Sequence, residues 1–203
     1  MGSEASVLKL HEAYFHPMKA ERILLRPLRP EDAAAMFEYT SVPENFKFLN
    51  RSYHTSIAED EEFIAKVLLG YKKRAEFIWG IELEENHKLI GTCRIFNIQT
   101  DKQSCEFSYI MNPAYQRRGL TAEAIRRLIK YVFEEWKFKT VVARCNQENI
   151  NSEHVMLAAG MHLKKGDKEY WSFHGKEVAC KRYELNNKAW ESPSEQATHK
   201  EED

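Results

Sequence analysis

The chain has 203 residues, 43% of them apolar and 30% charged, with 30 Lys and Arg against 31 Asp and Glu for a net charge of −1. That length makes one ordinary domain with tails, and a mean hydropathy of −0.61 excludes both a membrane-embedded and a disordered chain. The charge balance excludes a globally basic nucleic-acid binder, so no direct nucleic-acid partner is expected.

Residues 1–17 carry no clean period and read as an extension ahead of a domain over 18–188. Met1-Gly2-Ser3-Glu4-Ala5-Ser6 fits the M-G-x-x-x-[ST] lipidation template, but that pattern is short and recurs by chance, so the stretch is read as a plain leader. Arg22-Ile23-Leu24-Leu25-Arg26-Pro27-Leu28 reads as a strand, and Pro30 followed by Glu31 and Asp32 opens a helix. From Glu59 to about Tyr71, Phe63, Ile64, Val67, Leu68 and Tyr71 mark one helical face. Three strands follow at Glu76–Leu83, Leu89–Ile98 and Cys105–Met111, the first two joined by the polar turn Glu84-Glu85-Asn86-His87.

The cleanest helix comes next. Ile125, Leu128, Ile129, Val132, Phe133 and Trp136 form an apolar stripe opposite Glu, Arg and Lys. Thr140–Ala143 is a short strand, and Asn151–Ala159 a helix that stops at Gly160. Two last strand-like runs, about Met161–Phe173 and Val178–Leu185, flank the hairpin signal His174-Gly175-Lys176, and residues 189–203 read as a solvated tail. The pattern is a single mixed α/β domain.

Cys93, Cys105, Cys145 and Cys180 are scattered through apolar stretches without a C-x-x-C pair. They read as small buried thiols in a reducing compartment rather than as a zinc site or disulfide framework. No apolar run approaches the ~20 residues that cross a bilayer, and no signal peptide is visible. A cytoplasmic protein with no membrane partner is expected. His54, His87, His154, His162 and His174 lack ligand spacing and read as solvated or structural, so no metal is expected.

The chemistry concentrates between Glu106 and Met161. A strand ending at Met111 breaks at Asn112-Pro113, passes through Gln116-Arg117-Arg118-Gly119-Leu120-Thr121 and enters the long helix. A strand-loop-helix of this kind aims unpaired amides and a helix dipole at one point, where an anion such as phosphate belongs. Gly119 allows close backbone approach, and Arg117 and Arg118 add charge. The segment is neither a Walker A loop nor a G-x-G-x-x-G fingerprint.

That hexad resembles the Q/R-x-x-G-x-G/A acetyl-coenzyme A signature of the GNAT N-acetyltransferases. Arg22–Leu28 with Pro30-Glu31-Asp32, Leu89-Ile90-Gly91-Thr92, Glu106-Phe107-Ser108-Tyr109, and Asn149-Ile150-Asn151-Ser152 with Ala158–Met161 resemble, in order, segments of the ribosomal-protein (RimJ/RimL-type) branch. The resemblance implies a GNAT fold with a central, splayed, mostly antiparallel sheet of about seven strands and about four helices. It also implies direct acetyl transfer from acetyl-CoA to a primary amine, on a protein N-terminus or a small molecule, by a monomer or homodimer.

The implied cofactor residues are Tyr109, Ile110 and Met111 along the pantetheine, Gln116, Arg117, Arg118, Gly119, Leu120 and Thr121 at the pyrophosphate, and Asn149 and Ser152 near the thiol end. A lysine amine is almost wholly protonated at neutral pH and an α-amine is not, so a base contributes. Glu106 is the candidate base, against the reading that it orients substrate or pairs with an arginine. An amide near Met111 is the oxyanion donor. Ser152 is the candidate donor to the leaving thiolate, against the reading that it caps its helix. Many members carry a tyrosine four residues on, where Met156 stands here. Ser108 and Thr121 also depart from the pattern. Phe46, Phe48 and Tyr53 fall where the acceptor site forms and read as core or lid as much as substrate contacts. Two other readings use the same residues: a GNAT domain that binds acyl-CoA as a sensor without turnover, and a nucleotide-binding α/β protein.

Overall fold

The computed structural model describes residues 6, 9–11, 15–73, 77–166, 169–173 and 175–190. The Met1-Gly2-Ser3 leader, the tail from Glu191 and His174 of the last hairpin lie outside them. Alternating apolar residues build strands β1 (Met18–Lys19), β2 (Ile23–Arg26), β3 (Ile78–Leu83), β4 (Lys88–Gln99), β5 (Ser104–Met111), β6 (Thr140–Asn146), β7 (His162–Leu163), β8 (Glu169–Phe173) and β9 (Lys176–Asn186). They form one sheet in the order β1-β2-β3-β4-β5-β6-β9-β7, with β8 on β9. Every pairing is antiparallel except β5 with β6.

The count is nine strands among the described residues rather than about seven. β1 and β7 have two residues each, too few to leave a period, and the run expected over 161–173 is interrupted by Lys164-Lys165-Gly166. Four α-helices lie wholly within the described residues: α1 (Ala33–Thr40), α2 (Ile57–Lys72), α3 (Leu120–Glu134) and α4 (Ile150–Ala158); residues 9–11 are helical as well. Pro30 opens a 3-10 turn over Pro30–Asp32 rather than the α-helix itself.

Helices α3 and α4 cover one sheet face, where Ile125, Leu128, Ile129 and Val132 are fully buried against Ile81, Phe107, Val141 and Tyr183. Helices α1 and α2 cover part of the other, where Met36, Tyr39 and Ile64 pack on Ile78, Leu89 and Ile110. His11 and Phe15 of the expected extension stack at 4.5 Å and meet Phe77, so its described residues join the main core. Cys93, Cys105 and Cys145 are buried free thiols, but Cys180, paired with Asn146 of β6 and Glu169 of β8, is only half-buried.

Candidate active site

The sheet opens at its centre. β5 and β6 pair only over Ser104–Phe107 and Thr140–Ala143, while β5 runs on to Met111 along β4 and β6 to Asn146 along β9. Asn112 N–H donates to the Ile90 carbonyl at 2.8 Å, and the Ile110 carbonyl faces Gly91 so closely that a Cβ there would lie 2.5 Å from it. Strand alternation therefore turns the peptide groups of Tyr109 and Met111 toward the opening. Side-chain amides of Asn45 and Gln116 donate to the Met111 carbonyl at 3.3 and 3.1 Å. The edge offered to a ligand is the Tyr109 peptide group and the Met111 N–H.

At the end of this edge, the chain turns through residues with left-handed backbone, Arg117 (φ 63°) and Gly119 (φ 78°), into α3. Glu123 N–H donates to the Gly119 carbonyl at 3.0 Å, so the amides of Leu120, Thr121 and Ala122 precede the first intrahelical bond. The Leu120 and Thr121 side chains are buried, which leaves the backbone to meet an anion. Arg22 clamps the turn: its guanidinium donates to Glu123 at 2.8 Å and to the Arg118 carbonyl at 3.0 Å. Arg118 lies over the Tyr115 ring at 5.2 Å.

Across the opening, Asn149 rather than Ser152 caps α4, its Oδ1 accepting from the Ser152 amide at 3.1 Å. The Ser152 hydroxyl is thus freed for the Tyr109 hydroxyl, 2.7 Å away, and that phenol also donates to the Ser152 carbonyl at 3.1 Å. Burial pushes the Tyr109 phenol up, against the Ser152 hydrogen bond, so the pair is neutral at neutral pH. Met156 is fully buried. The Cys145 thiol is pushed up to about 11 by burial and then by the Glu153 charge, with Lys181 opposing. It is not a ready thiolate.

Glu106 and Ser108 lie on the opposite face of β5. Asn97 donates to Glu106 Oε1 at 2.6 Å, and Arg144 pairs with the same oxygen while donating to Glu169 at 2.6 Å. A slip in the β4–β5 register between Phe96 and Gln99, with Asn97 at φ 47°, aims that amide. The arginine pairing considered for Glu106 is therefore present, on one of its two oxygens. Phe46 packs in the core beneath α1 and α2, Phe48 is half-buried beside the Lys47 ammonium, and Tyr53 is exposed. His54 Nδ1 lies 3.0 Å from buried Asp60, and His87 bonds Glu82 at 3.2 Å. Among the described residues no cluster of His, Cys, Asp and Glu could hold a metal ion, and no helix is long and apolar enough to cross a membrane.

The geometry brings Tyr109, Met111, the 116–121 turn, Asn149 and Ser152 around one opening, with Glu106 on the reverse face of the same strand; Ile110 instead turns its carbonyl to β4 and its side chain into the core under α1 and α2. Sequence reading missed Arg22 with Glu123, Asn97 and Arg144. Arg144 had a signal, a charge between Val141-Val142-Ala143 and Cys145 in an otherwise apolar run; Arg22 and Glu123 meet across 101 residues, and Asn97 reaches Glu106 only through a slipped register.

A family model, the acetyltransferase (GNAT) domain, matches residues 22–162. An uncharacterised N-acetyltransferase of Bacillus subtilis, YnaD, is 30% identical over 141 residues, covering 70% of this chain and 79% of its own. The fold is similar to an acetyltransferase (GNAT family) from Bacillus anthracis, TM-score 0.72 at 23% identity over 85% of this chain and 99% of that one. It is also similar to a putative ribosomal-protein-serine acetyltransferase from Vibrio cholerae, TM-score 0.71 at 20% identity over 84% and 97%.

Proposed function

Because the chain belongs to the GNAT family of N-acetyltransferases, whose co-substrate is acetyl-CoA, we propose that it transfers acetyl directly to a primary amine at the opening between β5 and β6. The observation that carries this reading is the divergence of those strands after Phe107 and Ala143, with the amide turn at 116–121 at its end. Acetyl-CoA supplies the thioester. The loop amides bind its pyrophosphate, and the Tyr109–Met111 edge pairs with the pantetheine like an added strand.

As the amine nitrogen bonds to the carbonyl carbon, the Met111 N–H receives the oxygen's developing charge. Glu106, steadied by Asn97 and Arg144, takes the proton the nitrogen sheds, directly or through water. When the carbon–sulfur bond breaks, the hydrogen-bonded hydroxyls of Ser152 and Tyr109 carry a proton to the sulfur. Cys145, held as a neutral thiol, supports transfer without a covalent enzyme intermediate. The ordered motifs from Arg22 to Met161 favour the RimJ/RimL-type branch, with the catalytic unit over 18–188 and free cysteines suited to the cytoplasm.

The test is a thermal shift with acetyl-CoA, desulfo-CoA, ATP and NAD, followed by free-thiol release with pooled amines. A saturating ligand at a hundredfold excess over Kd stabilises by about 2.7 kcal/mol. Shifts with the two coenzyme A ligands alone, plus thiol release, are expected. A shift without release moves the reading to an acyl-CoA sensor, for which buried Met156 speaks. No shift overturns the site.

A further inference from the structure

A chain of alternating charges crosses one face of the sheet and ends at Glu106. Arg144 on β6 pairs with Glu106 and donates its Nε to Glu169 on β8 at 2.6 Å. Arg182 on β9 reaches the other Glu169 oxygen at 3.3 Å and Glu184 at 3.4 Å, and Lys164 meets Glu184 at 3.4 Å. The strand register explains the reach. Glu169, Cys180 and Asn146 share one row across β8, β9 and β6, and Arg182 and Arg144 share the next. Arg144 therefore crosses β9 diagonally to meet Glu169, and Cys180 at that crossing is a small, half-buried side chain.

Arg144 is thus shared between two carboxylates. Burial opposes its charge, yet hydrogen bonds to Glu106 and Glu169 outweigh that and hold the guanidinium above its ordinary value. On Glu106 the pairing falls on Oε1, which also accepts from Asn97 at 2.6 Å. A guanidinium given wholly to Glu106 would favour that carboxylate as an anion and weaken it as a proton acceptor. Glu169 draws on the same cation and adds a negative charge of its own, and both effects oppose the weakening. Arg182 acts in the opposite sense, because it occupies Glu169. The remaining charged and titratable groups of this face, Arg94 one row along β4, Cys180 and Glu184 on β9, and Lys164, are common to every comparison below. The Glu106 side chain is 11% exposed and that of Glu169 34%, so water screens the chain increasingly with distance from Glu106.

We infer that Glu169 is a positioning residue for the transfer: by holding one side of Arg144 it keeps that guanidinium from committing wholly to Glu106 and so preserves Glu106 as the acceptor of the amine proton. This rests on the transfer reading above and deepens it. Glu169 opens β8, the strand whose Ser172 carbonyl accepts from Asn50 between α1 and α2 at 3.3 Å, so the proton acceptor is tied to the placement of the hairpin.

The experiment uses the full chain labelled with carboxyl-labelled glutamate and followed by carbon NMR across pH, the Glu106 resonance being the one missing from Glu106→Gln. Glu169→Gln should move the Glu106 titration to lower pH by about 0.5 to 1 pH unit, and Arg182→Gln should move it to higher pH by less. Glu169→Asp, which keeps the charge, should recover most of the shift. In parallel, thiol release from acetyl-CoA is read with a pool of spermidine, O-phosphoethanolamine and a hexapeptide starting with serine. The ratio of variant to parent at each pH cancels the amines' own titration. For Glu169→Gln that ratio should lie about threefold below one near pH 8 and rise above one on the acidic limb, since a weaker base stays ionised further down. Loss of packing alone would lower it equally at every pH. Unmoved titrations, shifts of the same sign in Glu169→Gln and Arg182→Gln, or a ratio level with pH overturn the inference. Shifts of opposite sign with no thiol release from the parent chain overturn the transfer reading instead.

Discussion

At Tyr109 and Ser152, two hydroxyls 43 residues apart in sequence meet at 2.7 Å. Ser152 is available because Asn149 takes the capping position, so a helix-terminus requirement met by one side chain frees another for chemistry. If the pair delivers a proton to the departing sulfur, Tyr109→Phe and Ser152→Ala should each lower kcat by about tenfold or more, with KM for acetyl-CoA within about twofold. Glu106→Gln should also lower kcat, but its loss should come with a changed acidic limb of the pH–rate profile. Steady-state kinetics across pH separate the two: a Tyr109→Phe enzyme with normal kcat would leave the phenol a packing group, and normal Glu106→Gln turnover would leave that carboxylate as the partner of Arg144.

The turn into α3 is built from opposing demands. The helix dipole favours Glu123 in the first turn, yet a free carboxylate there would repel the anion that the neighbouring amides receive. Arg22 reconciles the two by holding Glu123 and the Arg118 carbonyl together. Arg22→Ala should therefore raise KM for acetyl-CoA severalfold and lower stability by only about 1–2 kcal/mol, because Arg22 is half-exposed. Gly119→Asp should raise that KM more than tenfold, since it forces a side chain onto a φ of 78° and sets a negative charge at the phosphate amides. Normal KM in both variants would move the phosphate elsewhere.

This element was readable because loop chemistry is local: Asn112-Pro113, Gly119 and the apolar stripe after it sit within one stretch of sequence. The divergence of β5 from β6 was not. It depends on Arg144–Asn146 keeping β9 on one edge while β5 leaves the other, and the run Val141–Cys145 looks alike with or without that second partner. Glu106 could be nominated from its strand, but its engagement with Asn97 depends on a slipped register that no spacing announces. The two-residue strands β1 and β7 escaped for a simpler reason, that alternation needs more residues than they have.

Over the whole molecule, the sheet edge and the α1–α2 lobe are joined by a buried charge network. Arg26 on β2 donates to both Asp32 oxygens at 2.8 Å and pairs with Glu82 on β3; all three are buried. Burial opposes ionisation of Glu82, but hydrogen bonds from Arg26 and His87 outweigh it and hold the carboxyl below its ordinary value. A carboxyl whose folded value is depressed contributes stability above its unfolded value, about 4.3, and loses that contribution as pH falls through the folded value. Glu169 is held down in the same direction; burial opposes its ionisation and Arg144 and Arg182 prevail. The melting temperature should therefore be nearly level from pH 7 to about 5 and fall steeply below about 4. Glu82→Gln should cost about 2 kcal/mol at pH 7, less than a fully broken buried pair because Arg26 keeps Asp32, and should make the acid fall shallower so that the two proteins converge near pH 3. Melting curves of both proteins across that range decide it: a constant gap between them at every pH would mean that Glu82 stabilises by packing and not by its charge.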